Sequence, residues 1–182
     1  MTRPGSIMDG RAISRSLARM AHEIVEAVGD HPRLAFVGVH RGGVPISRRL
    51  AEAVREITQQ DIPTGSVDIT LYRDDLYTGL ERPVLGDTDF PFKVTGAGIV
   101  LVDDVLFTGR TVRAALDEIM DFGRPDFIRM AVLIDRGHRE LPIAADFMGR
   151  KVEFTKTARV EVRLTEFGNE NDEVVVVEEQ GT

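Results

Sequence analysis

The chain has 182 residues, 42% hydrophobic and 29% charged, values of a globular protein long enough to bury one real core and short for two domains. It has no cysteine, which excludes disulfides, thiolate metal sites and cysteine nucleophiles, and no apolar run near the roughly 18 residues of a membrane span or a signal region, so a cytoplasmic protein is expected. The formal net charge of −7 argues against indiscriminate nucleic-acid binding, although the sign is uneven: nine arginines face six acids up to residue 60, and six acids with no base follow residue 164.

In chain order, Ile13, Leu17, Met20, Ile24 and Val28 recur at helical spacing behind Asp9, a candidate N-cap, and Arg15, Arg19, His22 and Glu26 occupy the opposite face. Residues 34–39 read as a short apolar strand that ends in His40, Arg41, Gly42 and Gly43, after which Leu50, Val54 and Ile57 mark a second helix. Residues 67–72 read as a strand. The stretch 73–96 has no clear periodicity, and structureless segments of that length tend to be functional. A β-branched run from Ile99 then ends in two acids and a turn. Val112, Leu116, Ile119 and Met120 follow at helical spacing over 112–122. Residues 127–134 read as a buried strand closed by a polar turn at 135–139, and short strand candidates lie at 152–154, 160–164 and 174–177. There is no repeat and no linker, so residues 1–182 are expected to form a single domain. Strands alternating with helices imply an α/β fold, a mostly parallel sheet covered on both faces with a small appendage after it.

The junction from the Ile99 run into the following helix is the part with chemistry. Adjacent Asp103 and Asp104 leave a strand end on opposite sides, since side chains alternate at a period of two, and so can grip a vicinal diol such as ribose from either edge. Thr108, Gly109, Arg110 and Thr111 supply hydroxyls, a glycine that lets the main chain approach, and the unpaired N–H groups of a helix start, which suit a phosphate. A sugar phosphate satisfies both halves.

Residues Val102, Asp103, Asp104, Val105, Leu106, Phe107, Thr108, Gly109, Arg110, Thr111, Val112, Arg113 and Ala114 resemble the phosphoribosyl pyrophosphate (PRPP) binding motif of type I phosphoribosyltransferases. With 68–76, 123–125 and 131–142, in the same order, the chain is similar over nearly its whole length to the PyrR family, bifunctional pyrimidine-operon attenuation regulators and uracil phosphoribosyltransferases.

The resemblance implies the type I phosphoribosyltransferase fold with a small hood region at 73–96, and conversion of uracil and PRPP to UMP and diphosphate. It implies Asp103, Asp104 and Arg73 as catalytic residues, Arg73 reaching the pyrophosphate when the hood closes. It further implies a pyrophosphate loop at His40, Arg41, Gly42 and Gly43, and a base site at Asp135, Arg136 and Gly137. Mg²⁺ is the implied cofactor, held mainly by the substrate, with Asp103 as the protein carboxylate considered for it. Family members also bind pyr leader mRNA on a basic face in response to UMP or UTP; Arg19, His22, Arg139 and Arg150 are the candidates here, in a homo-dimer or higher homo-oligomer.

The chain departs from the family at Arg41-Gly42-Gly43, where Thr-Arg-Gly is common, and at Ala144, where a base is frequent. Two alternatives stay open: a nucleotide-sensing RNA-binding regulator with little catalysis, and a purine phosphoribosyltransferase. The latter usually sets a Lys and an aromatic ring against the purine, and residues 134–141 hold neither.

Overall fold

The computed structural model describes residues 5–69, 88–155 and 158–178. Within them the chain runs β1 (Gly5–Asp9), α1 (Gly10–Val28), β2 (Leu34–Val39), α2 (Gly43–Thr58), β3 (Thr64–Val67), β4 (Gly98–Leu106), α3 (Arg110–Asp121), β5 (Phe127–Asp135), β6 (Phe147–Lys151), β7 (Ala158–Arg163), a 3-10 turn (Thr165–Phe167) and β8 (Glu173–Glu178). Five strands form a parallel sheet in the order β3-β2-β4-β5-β6, and β1-β8-β7 form a separate antiparallel sheet.

The parallel sheet explains why β4 reads as an unbroken apolar run: it is central and covered on both faces. Val100 and Val102, with Phe36 of β2 and Ala131 and Leu133 of β5, pack into a core shared with α1 and α2. Ile99 and Leu101, with Val37, Val39, Met130 and Val132, pack against Val112, Ala115 and Ile119 of α3. The period-two alternation thus assigns neighbouring β4 residues to opposite helical layers. Register sets Gly38 beside Val102 and Val102 beside Ala131, so β2, β4 and β5 all deliver their carboxyl ends to one edge. Ligand sites of open α/β sheets form at that edge.

α1 starts where Asp9 Oδ1 accepts the Ala12 N–H at 2.7 Å, and it buries Ile13, Met20, Ala21 and Ile24 completely. No helix among the described residues is long and apolar enough to cross a membrane.

Three sequence expectations need correction, and one strand was not expected. Of the strand expected at 67–72, residues 70–72 lie outside the described residues and only Val67 is in a strand, β3 at Thr64–Val67, paired with Phe36–Val39; its outer edge is met by Asp89, which exchanges backbone hydrogen bonds with Ser66 at 2.8 and 2.9 Å. The strand expected at 152–154 is β6, an edge strand in which only Phe147 is buried, so its polar remainder hid it; Val152 lies beyond its end. α3 starts at Arg110, and Met120 is 54% exposed because the buried stripe runs through Val112, Ala115 and Ile119. β1, unforeseen, brings the N-terminal segment beside β8, and Met8 and Val174 carry the small sheet into the α1–α2 core.

Candidate active site

At the tip of β4, Asp103 is nearly buried at 5% exposure, and its Oδ1 accepts the Asp104 N–H at 2.9 Å. Asp104 is half-buried, on the α1–α2 side of the strand, and its Oδ1 accepts the Val105 N–H at 2.8 Å. Each carboxylate is therefore anchored to the chain immediately after it. The following turn crosses Gly109 at φ +94°, a conformation that a side chain would strain. Thr108 Oγ1 accepts the Arg110 N–H at 3.3 Å, and α3 has no acidic residue in its first turn. Its leading N–H groups thus lack helical acceptors while the helix dipole favours an anion there. The Arg110 side chain turns away to an ion pair with Glu140 at 2.8 Å, and Arg113 lies 3.5 Å from Asp117, so the cradle is built from main chain and hydroxyls.

The glycine loop after β2 packs directly onto this tip. A Cβ on Gly42 would lie 2.8 Å from Asp104 Cβ and closer still to its carboxylate; one on Gly43 would lie 3.1 Å from Asp103 Cα and closer to the Val102 carbonyl oxygen. Gly42 has φ −68° and ψ −32°, ordinary helical values, so the glycines are required by proximity and not by backbone conformation. The His40–Arg41 peptide bond is cis, and His40 N–H donates to the Val67 carbonyl at 3.0 Å.

The turn after β5 is held from inside. Asp135, 7% exposed, accepts the Gly137 N–H at 2.9 Å and pairs with Arg139 at 2.7 Å. Arg136, 6% exposed, lays its guanidinium 3.9 Å from the centroid of the Phe107 ring and donates to the Thr155 carbonyl, and burial lowers its pKa. Gly137 has φ +71° with open space where a Cβ would stand. Arg139 donates to the carbonyls of Ile143, Phe107, Gly137 and Leu106 at 2.9, 2.8, 3.1 and 3.3 Å. Thr108 C=O accepts the N–H groups of Glu140 and Leu141. The turn into α3 and the turn after β5 are therefore one hydrogen-bonded unit.

That placement gives Arg139 a structural part that the sequence did not suggest. Its guanidinium engages four carbonyls and a carboxylate and so braces the two turns against each other. The other basic candidates share a different face. Arg15, Arg19 and Arg150 line a shallow concavity of about 330 Å³ between α1 and β6, and His22 is exposed on α1. Arg19 pairs with Glu23 at 2.6 Å and donates to the Met148 and Gly149 carbonyls, and Arg150 donates to the Ile7 carbonyl at 2.6 Å. Of the hood expected at 73–96, Arg73 and the residues up to 87 lie outside the described residues.

Sequence reasoning missed the organising part of Arg139 and the Arg136–Phe107 stack. The adjacency of Asp135 and Arg139 at i,i+4 was the one available signal for the first.

A parallel sheet that gathers a paired-acid tip, a glycine loop and a helix start at its carboxyl edge defines a phosphoribosyltransferase domain, and residues 5–165 match the phosphoribosyl transferase domain family. The hypoxanthine phosphoribosyltransferase of Trypanosoma cruzi shares the fold, with a TM-score of 0.74 at 20% identity over 97% of each chain. The bifunctional protein PyrR of Pelotomaculum thermopropionicum is 53% identical over 172 residues, 94% of each chain, and that of Thermus aquaticus 49% over 175 residues, 96% of each. The chain belongs to the PyrR family.

Proposed function

We propose that the protein transfers the phosphoribosyl group of PRPP to uracil, releasing diphosphate and forming UMP, and that it also binds leader RNA in response to uridine nucleotides. The observation that carries the first activity is the packing of Gly42 and Gly43 on the Asp103–Asp104 tip, beside the start of α3. A diol grip, a phosphate cradle and a second close-approach loop are then neighbours at one edge of the sheet.

In the transfer, the bond from C1′ to diphosphate breaks with its electron pair leaving on diphosphate, positive charge builds on the ring, and the bond from C1′ to N1 of uracil forms as N1 gives up its proton to solvent or the departing diphosphate. No covalent nucleophile is needed. Asp103 and Asp104 hold the 2′ and 3′ hydroxyls, and their negative charge favours the developing cation. The 5′-phosphate sits on the N–H groups at the start of α3 with the Thr108 and Thr111 hydroxyls. Arg41 and the main chain of Gly42 and Gly43 receive the diphosphate. The donor set at the tip is two carboxylates already engaged by backbone, and no cluster of three His, Cys, Asp or Glu suited to a metal occurs among the described residues. That suits Mg²⁺ held mainly by diphosphate oxygens, with Asp103 as the protein carboxylate considered for it, and bound there it neutralises leaving-group charge. With the Asp135 and Arg136 side chains drawn inward, uracil meets mainly the main chain around Gly137.

The basic concavity of Arg15, Arg19 and Arg150 supports the RNA activity, because counterion release needs clustered cations and this is where an acidic protein gathers them. A homo-dimer or higher homo-oligomer is part of the same reading.

The test is turnover with uracil, hypoxanthine, guanine and xanthine under PRPP and Mg²⁺, beside a leader-RNA shift assay at physiological salt with and without UMP. Uracil alone should react. Turnover of a purine in its place would overturn the assignment, and RNA binding unaffected by Arg19→Glu with Arg150→Glu would remove the proposed face.

A further inference from the structure

The glycine loop is also touched from behind, by an element with no part in the chemistry above. The 3-10 turn at Thr165–Phe167, carried between β7 and β8 of the small sheet, presents Phe167, which is 42% exposed. The Arg41 guanidinium lies over that ring at 5.7 Å from its centroid, and the two residues wall a cavity of about 360 Å³ floored by Val44 and Pro45.

The turn itself is fixed to α2, the helix that the glycine loop opens. Arg49 donates to Glu166 at 2.8 and 2.6 Å and to Asp172 at 2.6 and 3.2 Å, and Asp172 in turn accepts the Thr165 N–H at 2.8 Å. A bidentate guanidinium spanning two carboxylates fixes direction as well as distance. Phe167 is thereby held at a set place relative to Gly43, six residues before Arg49 on the same helix. Among the described residues Arg41 makes no hydrogen bond or ion pair, and the Phe167 ring is what its guanidinium lies against.

We propose that Phe167 is a positioning residue for Arg41: the small sheet holds the pyrophosphate-loop guanidinium in place before diphosphate or PRPP arrives. This rests on reading residues 40–43 as the pyrophosphate loop. An exposed cation–aromatic contact of this kind affects affinity by about two- to fivefold, through lower ordering cost on binding.

The experiment uses the full chain with Mg²⁺ and measures dissociation constants for PRPP, diphosphate and UMP by calorimetry, with kcat and KM beside them. Phe167→Leu should weaken PRPP and diphosphate about two- to fivefold, leave UMP binding and kcat nearly unchanged, and be rescued by Phe167→Tyr. In an Arg41→Ala background, Phe167→Leu should add nothing. Unchanged PRPP and diphosphate affinities, failure of the Tyr rescue, or an equal loss of UMP binding would each overturn the positioning role. If Arg41→Ala itself leaves PRPP and diphosphate binding intact, the loop assignment falls and this proposal with it; loss in Arg41→Ala with none in Phe167→Leu removes the positioning role alone.

Discussion

Gly42→Ala separates the site from the fold. The new methyl would stand 2.8 Å from Asp104 Cβ and nearer to the carboxylate, where carbon–carbon contacts normally lie at roughly 3.5–4.0 Å, so Asp104 must retreat by about an ångström. Retreat breaks the hydrogen bond from the Val105 N–H, a loss of about 1.5–3 kcal/mol for a charged acceptor. Against this, Gly42 already has helical φ and ψ, so alanine gains about 0.4–1 kcal/mol by restricting the unfolded chain. The net cost to stability is about 1–2 kcal/mol, a Tm lower by roughly 2–8 °C for a chain of this size. An ångström of displacement in a group that grips the ribose costs about 10²-fold in rate. Steady-state kcat/KM with uracil and PRPP, measured beside thermal unfolding at the same pH, should show a large activity loss with a small stability loss. Wild-type kcat/KM would refute both the close packing of loop on tip and the role given to Asp104.

Asp104→Asn, which keeps shape and removes charge, should lower kcat by about 10²-fold with Tm nearly unchanged, and near-normal turnover would count against its ribose contact. Gly43→Ala drives a methyl into the Val102 carbonyl, which cannot yield without moving α2; denaturant titration should show a loss of about 3 kcal/mol, and an unchanged midpoint would contradict the observed approach. Arg139→Ala strands the Ile143, Phe107 and Gly137 carbonyls and takes the cation from the Asp135 carboxylate, while Leu106 keeps the Arg136 N–H; it should destabilise by about 3 kcal/mol and weaken UMP binding, and an unchanged unfolding midpoint would contradict the bracing role. The hydrogen bonds of Arg49 hold the Asp172 carboxyl below its usual range, against burial and with help from the Thr165 N–H. A depressed carboxylate stabilises the fold above its unfolded pKa of about 3.9 and ceases to as pH falls through the folded value. Asp172→Asn should therefore cost about 2 kcal/mol at pH 7, with the gap to wild type closing below about pH 4; a gap constant with pH would exclude the ion pair as its source.

The parts legible in the sequence were those whose signal is local. Ile99 to Val102 read as a central strand because burial on both faces demands an unbroken apolar run, and Asp9 read as a cap because its partner Ala12 is three residues away. β1 and β6 did not, since each is a sheet edge that buries a single large side chain, Met8 or Phe147, and edge strands need no apolar pattern. Met120 was assigned inward because two adjacent apolar residues, 119 and 120, fit helical spacing equally well and only the packed sheet chooses between them. The candidate loops were visible one by one. Their meeting was not: Gly42 and Asp104 are 62 positions apart, and Arg49 and Asp172 are separated by 123.

Arg139 joins carbonyls from the end of β4, the turn after β5 and Ile143, while Thr108 takes the N–H groups of residues 140 and 141. On the proposed reading of these two turns, the span from anomeric carbon to acceptor nitrogen would be preset by the protein instead of being negotiated by each pair of ligands, which would favour a product that occupies both halves at once. Retailoring the acceptor specificity would require grafting 106–109 together with 135–143 as a cassette, because either half transplanted alone would arrive without its bracing.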